Sequence, residues 1–320
     1  MIILIGRRPI FDCFDNGQSM QPRLDGMGLF DARYAAFLET VVQTRSRLHR
    51  YCARMAGSVL DGEDIMQEVL FEAYCKLETL EEPQALRSWL FSIAHHRCID
   101  FLRKRDTREN AEATFVEPDV AAAAESAATP LDGALERLVI HLPPKERACV
   151  LLKDVLEHSL EEIAQLTDTT VGGVKAALSR GRTKLAALPD NQNRRSLHGH
   201  PPDLLKVLRI YVERFNRHDW EGVRQLASAD ARLRVSDCFA GRLADSPYFV
   251  EYERGLIRWR MRVGEIDGEP VVIVMHQVAD EWLPRSVIRI AVMDGRIRSI
   301  SDYFGCSWIM SSARELTFDH

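Results

Sequence analysis

Apolar residues recur at helical spacing through the first part of the chain and alternate at a spacing of two through much of its last third, so two kinds of architecture follow one another. In DGEDIMQEVLFEAYCKL, Ile65, Met66, Val69, Leu70, Ala73 and Leu77 form one helical stripe and leave Asp64, Gln67, Glu68 and Phe71 on the other side. In LRSWLFSIAHHRCIDFLRKRD, Leu90, Ile93, Ala94 and Phe101 share one arc, and Trp89, His96, Asp100 and Arg103 share a neighbouring one. Ser159 with Glu162 three residues later reads as a capping box that opens a helix. A turn is expected at Thr167 to Thr169, and then a second helix on which Val171, Val174, Leu178 and Leu185 point inward. Gly172, Gly173, Ala176, Arg180 and Thr183 point outward from it.

After the polar, proline-closed stretch DNQNRRSLHGHPP the pattern changes. Leu204, Leu208, Tyr211 and Phe215 mark one amphipathic helix, and Trp220, Val223 and Leu226 a shorter one. Strand-like runs cover 231–236, 258–263, 271–278, 286–293 and 297–303. Asp267-Gly268 and Asp294-Gly295 are hairpin turns, because both positions of such a turn need positive φ. The expected chain is multidomain: two all-α domains, the second a helix-turn-helix, and then an α+β domain whose strands form an antiparallel meander.

The chemistry follows the pattern. Small residues on the outward face of the last helix of the pair would let it sit close to the floor of a major groove, where Lys175, Arg180, Arg182 and Lys184 meet phosphates or a guanine edge. Interleaved aromatic and cationic groups around Trp89 suit a single strand, whose bases lie on a ring while cations follow the backbone. The mostly acidic face of Asp64, Gln67, Glu68 and Phe71 is a poor surface for DNA and suits a basic protein partner, although a plain solvated helix would look similar.

These segments, in this order, resemble the two domains of the extracytoplasmic-function sigma factors, compact relatives of sigma-70. Asp64 to Val69 is similar to the family's polymerase-binding helix, Trp89 to Ala94 with Asp100 and Arg103 to its promoter-melting helix, and Leu142-Pro143-Pro144 through Leu185 to its second domain. The resemblance implies that Asp64, Gln67, Glu68 and Phe71 bind core RNA polymerase. It implies that Trp89, His96, Arg97, Asp100, Arg103, Lys104 and Arg105 meet the minus-10 element of promoter DNA. Thr170, Gly172, Gly173, Lys175, Ala176, Ser179, Arg180, Arg182 and Lys184 would read the minus-35 element. His96 stands where an asparagine is common and Ala176 where a small hydroxyl residue often follows the lysine, so no promoter sequence carries over.

Charge changes this picture only locally. The formal net charge is −5 with a pI near 6.1, which disfavours autonomous binding to free DNA. Yet Arg97, Arg103, Lys104, Arg105 and Arg108 cluster at the end of the first domain, and no Lys or Arg occurs from Glu109 to Ala128. The implied layout is an N-terminal extension over 1–28, expected to be poorly ordered, a first sigma domain over 29–108 and an acidic, alanine-rich linker over 109–130. A helix-turn-helix domain over 131–188, a linker over 189–202 and a last domain over 203–314 complete it.

In that last domain FNRHDWEGVRQLASADARLRV and VIRIAVMDGRIRSISDYFGCSWIM resemble the SnoaL-like members of the NTF2-like superfamily. The resemblance implies a cone, a curved sheet around helices, with Asp237, His276, Arg289, Asp302 and Tyr303 as candidate pocket residues. An Asp and a His in an apolar cavity can transfer protons, but no catalytic spacing is visible and no catalytic residue is assigned. Regulation in cis of the sigma domains, with or without a small-molecule ligand, is the expectation. A ligand-sensing helix-turn-helix regulator that works without polymerase, and a SnoaL-type enzyme fused to a DNA-binding module, are the competing classes. The seven cysteines are scattered without a CxxC pair, which points to reduced thiols and away from structural zinc. No run spans a membrane, no glycine loop suits phosphates, and neither cofactor nor metal is expected, in keeping with a cytoplasmic protein.

Overall fold

Among the described residues the helical pattern folds as four long and two short α-helices. The computed structural model describes residues 29–80, 85–113, 141–187, 202–254 and 257–319, which divide into a helical unit within Gln21–Arg194 and a sheet unit from Arg195 onward. The expected extension over 1–28 lies outside the described residues, as do most of the two linkers. In the helical unit α1 (Leu29–Ala56), α2 (Val59–Cys75) and α3 (Leu86–Ala113) form the first domain. Helix α3 carries the chain through Glu109 to Ala113, so the first of the expected linker residues are helical. Ser58 starts α2 by accepting a hydrogen bond from the Asp61 amide. The predicted stripe of α2 is buried from Ile65 to Leu77 against α1 and α3.

The helix-turn-helix domain contains α4 (Pro144–Val150), extended by a π-helical turn over Leu151–Val155, then α5 (Leu160–Leu166) and α6 (Val171–Ala187). The capping box forms as expected: the Ser159 amide donates to Glu162 Oε2 at 2.6 Å, and the Glu162 amide donates to Ser159 Oγ at 3.1 Å. Asp168 takes φ 48° in the turn, a left-handed conformation that short polar side chains tolerate. Thr170 then caps α6 by accepting from the Gly173 amide.

This domain packs on the first within the one helical unit, and Arg147 makes the join. Buried to 5 % exposure, it donates from Nη1 to the Met55 carbonyl of α1 at 2.5 Å and from Nη2 to the Leu142 carbonyl at 3.1 Å. Arg47 of α1 reaches the Leu156 carbonyl, and Phe91 of α3 meets the His158 ring edge-on at 5.3 Å. Burial lowers the pKa of Arg147 to about 10, so it stays charged at neutral pH. Helix α3 therefore buries more than the expected arc: Phe91 is covered by His158 of the second domain, while His95 bonds Tyr51 and Cys98 lies against Cys52, both on α1.

The sheet unit opens with α7 (Pro202–Asn216) and α8 (Trp220–Leu226). The strands are β1 (Ala227–Val235), β2 (Phe239–Arg242), β3 (Trp259–Ile266), β4 (Glu269–Val278), β5 (Glu281–Met293), β6 (Arg296–Asp302) and β7 (Leu316–Phe318). They form one sheet in the order β2-β1-β6-β5-β4-β3-β7. Both Asp-Gly turns have positive φ at each residue, as hairpins β3–β4 and β5–β6 require. The antiparallel meander holds for β3 to β6, but β1 pairs with β6 in parallel, so the sheet is mixed. Helix α9 (Tyr248–Arg254) and helix α10 (Ser307–Ser312) complete the unit. Helix α7 packs on β3, β4 and β5, and the core beneath it gathers Tyr211 and Phe215 with Met261, Val272, Val274, Ile288 and Ile300. The result is the expected α+β architecture of a sheet wrapped on helices. Its final strand lies beyond the predicted boundary at 314, since β7 adds to β3 through Leu316 to Phe318.

Candidate nucleic-acid interface

On α6 the buried positions are Val174, Ala177, Leu178, Gly181 and Leu185, which leaves a continuous exposed ridge of Gly172, Ala176, Ser179 and Thr183. No side chain on that ridge is larger than threonine. Cations flank it: Arg180 and Lys184 on one side, Lys175 and Arg182 on the other. Three of the four are held by carboxylates of the preceding segment. Glu146 of α4 accepts from Arg180 Nε at 3.0 Å and from Lys184 Nζ at 2.8 Å. Asp154 of the π turn accepts from Arg182 Nε at 3.1 Å and Nη2 at 2.5 Å. Lys184, and then Arg180, hold the Glu146 carboxyl below its ordinary range. Such a surface admits a helix into a major groove with cations at both rims. The carboxylates that tie them lie 28 to 38 positions away in sequence, a separation at which no periodicity links the partners.

Helix α3 presents a different face. Trp89 is half-buried, while His96, Asp100, Arg103 and Lys104 are exposed. The His96 ring is tied to its own helix, Nδ1 lying 2.8 Å from the Ser92 carbonyl. Arg97 turns toward α2, donating from Nε to Glu72 at 2.6 Å with Glu68 at 3.6 Å. Arg103 pairs with Asp100 at 3.2 Å on the surface. Arg105 departs from the expected minus-10 group: its Nη1 donates to the Ala56 carbonyl at 2.8 Å, where the last carbonyls of α1 have no intrahelical donor. Behind the face, Tyr51 and His95 share a buried hydrogen bond of 3.0 Å, and burial lowers the His95 pKa to about 4, so this ring is neutral.

The acidic face of α2 is present as predicted. Asp64 and Gln67 are half-buried, Glu68 is exposed and Phe71 is 37 % exposed. Gln67 donates to Glu63 at 3.0 Å. Tyr74, absent from the sequence expectation, continues the aromatic exposure beside Phe71 and meets Tyr34 edge-on at 5.8 Å.

The five candidate pocket residues of the sheet unit do not converge. Asp302 and His276 lie on the helix-covered face, because Asp302 pairs with Ile288 and His276 with Trp259, both of which pack there. Arg289 alternates with Ile288 and Ile290 and so faces away, where Glu269 accepts from its Nε and Nη2 at 2.6 and 2.7 Å. Tyr303 is buried under the Arg234 guanidinium, and Asp237 is an exposed turn residue at φ 59°. Around Asp302 aromatic rings crowd the interior. Tyr248 and Tyr252 donate to its Oδ2 at 2.9 and 2.7 Å, and Phe215, Trp220, Phe249 and Trp259 pack ring against ring nearby. Burial raises the Asp302 pKa to about 6, and burial lowers that of His276 to about 4. Among the described residues no group of His, Cys, Asp or Glu could hold a metal, and no helix is long and apolar enough to cross a membrane.

Comparison with known proteins places family matches on the helical unit. Residues 40–108 match sigma-70 region 2, and residues 132–185 match sigma-70 region 4. The chain is similar to the ECF RNA polymerase sigma factor SigW of Bacillus subtilis, with 30 % identity over 162 residues that cover 47 % of this chain and 87 % of SigW. It is also similar to SigG of Mycobacterium tuberculosis, 27 % identical over 231 residues; the match covers 63 % of this chain and spans 61 % of SigG. Among solved structures, the extracytoplasmic function sigma factor SigJ of Mycobacterium tuberculosis matches over 87 % of this chain and 99 % of its own, at 16 % identity and a TM-score of 0.33.

Proposed function

The chain belongs to the extracytoplasmic-function RNA polymerase sigma factors, and from that premise we propose that it binds core RNA polymerase, recognises minus-10 and minus-35 promoter elements and starts transcription. The observation that carries the reading is the α6 surface: a ridge of small residues flanked by cations, on a helix-turn-helix that follows a helix bearing both aromatic and cationic groups. In this reading α6 reads duplex DNA upstream. Trp89, His96, Arg103 and Lys104 of α3 meet the melted strand, and Asp64, Gln67, Glu68 and Phe71 of α2, with Tyr74, dock on polymerase. Arg97 supports that docking face through Glu72 and Glu68 rather than reaching for DNA. Such a subunit works where polymerase is, in the cytoplasm.

The sheet unit regulates this activity in cis and is not an enzyme in this reading. Asp302 is held by two tyrosine hydroxyls and His276 does not converge on it with Arg289 or Asp237, which supports a binding or docking module over a catalyst. Tethering gives the unit a high local concentration at the sigma domains, so a weak contact suffices. The test is binding of the full chain to purified bacterial core polymerase. Gln67→Ala with Phe71→Ala should weaken binding at least tenfold, while Ser179→Ala, on the ridge of α6, leaves it unchanged. Equal binding by all these proteins would remove α2 as the polymerase contact.

A further inference from the structure

We propose that Glu146 is a positioning residue for promoter reading: its carboxylate grips Arg180 by Nε and so aims the free edge of that guanidinium at one base pair of the upstream element. The inference rests on the sigma-factor reading and deepens it. Glu146 is 6 % exposed, whereas the side chain of Arg180 is 56 % exposed. An anchored carboxylate thus holds a solvent-facing cation. The bond uses Nε, at 3.0 Å, and among the described residues Nη1 and Nη2 make no hydrogen bond. Those two groups form the end of the fork that contacts guanine N7 and O6 together. One bond at Nε fixes the guanidinium plane and leaves that end open.

Gly181 accounts for the closeness of the two helices. A Cβ there would lie 3.0 Å from Val150 Cγ2 and 3.5 Å from Glu146 Cβ, so the bare glycine lets α6 seat on α4 with the carboxylate within reach of its neighbours. The second oxygen of Glu146 holds Lys184 at 2.8 Å. One carboxylate between two cations leaves the rim positive, as a DNA-facing surface needs. Arg182 shows the alternative. Asp154 takes its Nε and Nη2 together, which occupies one side of its fork and leaves it poorly placed for an end-on contact.

The test uses holoenzyme assembled from the full chain and bacterial core polymerase, offered a duplex library randomised across the upstream element, with the bound fraction sequenced. Arg180→Ala should flatten the preference at a single base pair by roughly tenfold or more. Glu146→Gln should flatten the same position several-fold, and so should Glu146→Asp, which keeps the charge but shortens the reach. The double variant Glu146→Gln/Arg180→Ala should match Arg180→Ala alone. Lys184→Met should weaken binding across all sequences and keep the preference. The proposal is overturned if both Glu146 variants select the wild-type sequences, if they weaken every sequence equally, or if their loss adds to that of Arg180→Ala. A wild-type holoenzyme that enriches no upstream element would overturn the sigma reading itself, and the clamp with it. Circular dichroism of each variant confirms that the helical unit is folded.

Discussion

Glu146 of the helical unit and Asp302 of the sheet unit are two buried carboxylates used in opposite ways. In the helical unit Glu72, Glu146 and Asp154 lie beside cations at the end of α2, on α3 and on α6; Lys76 and then Arg97 lower the pKa of Glu72, and Lys184 and then Arg180 that of Glu146. In the sheet unit Asp302 is buried among rings, takes two tyrosine hydroxyls in place of a cation, and has its pKa raised to about 6. The first arrangement shapes a surface and keeps cations poised. The second tolerates a charge in the core at a cost in stability. The same residue chemistry therefore orders surface cations at Glu146 and leaves a weak point at Asp302.

The largest effect should come from removing that weak point. With its folded pKa raised above the unfolded value near 3.9, Asp302 stabilises the fold most below pH 4, and that contribution is lost as pH rises through about 6. Asp302→Asn keeps an acceptor for both tyrosines. It should be more stable than the wild type at pH 8 by on the order of 3 kcal/mol, with the gap closing below about pH 4. Tryptophan fluorescence reports chiefly this unit, since four of the five tryptophans, Trp220, Trp259, Trp282 and Trp308, lie in it and Trp89 does not. A pH-independent difference would mean that Asp302 is not protonated on folding. Next in size is Arg147→Ala, which strips the donors from the Met55 and Leu142 carbonyls. It should cost the helical unit about 2 kcal/mol in urea unfolding followed at 222 nm.

How much of this was readable in the sequence depends on the range of each interaction. The capping box at Ser159, the α2 stripe and the two Asp-Gly hairpins are local and form as expected. Strands β2 and β7 are too short, at four and three residues, to show an alternating pattern. The parallel pairing of β1 with β6 joins segments that no turn connects. Tyr248 and Tyr252 reach Asp302 across 54 and 50 positions. Arg105 looked like one more cation of a basic cluster because the end of α1 that it caps is 49 positions away. The residues of α6 that face outward were legible from periodicity. The carboxylates that arrange them were not.

Two smaller effects sharpen the contrast between α3 and α6. Trp89 is half-buried on α3, and if a base stacks on its free face, Trp89→Ala should slow promoter opening, measured by permanganate footprinting, by an amount equivalent to about 1–2 kcal/mol. Duplex binding upstream should be unchanged; a loss there instead would make Trp89 structural. Arg182→Ala should be the mildest, under about 1 kcal/mol in promoter affinity, because Asp154 already occupies this exposed cation. An effect as large as that of Arg180→Ala would show that the Asp154 pair opens on DNA.

The central claim is that this chain directs polymerase to promoters and that its sheet unit adjusts the process. Run-off transcription tests it most directly, with purified bacterial core polymerase on the promoter upstream of the chain's own gene, comparing the full chain with a version ending at Pro189. The account predicts promoter-dependent transcript from the helical part and a different yield from the full chain. No transcript from either form, with no binding to core polymerase, would contradict it.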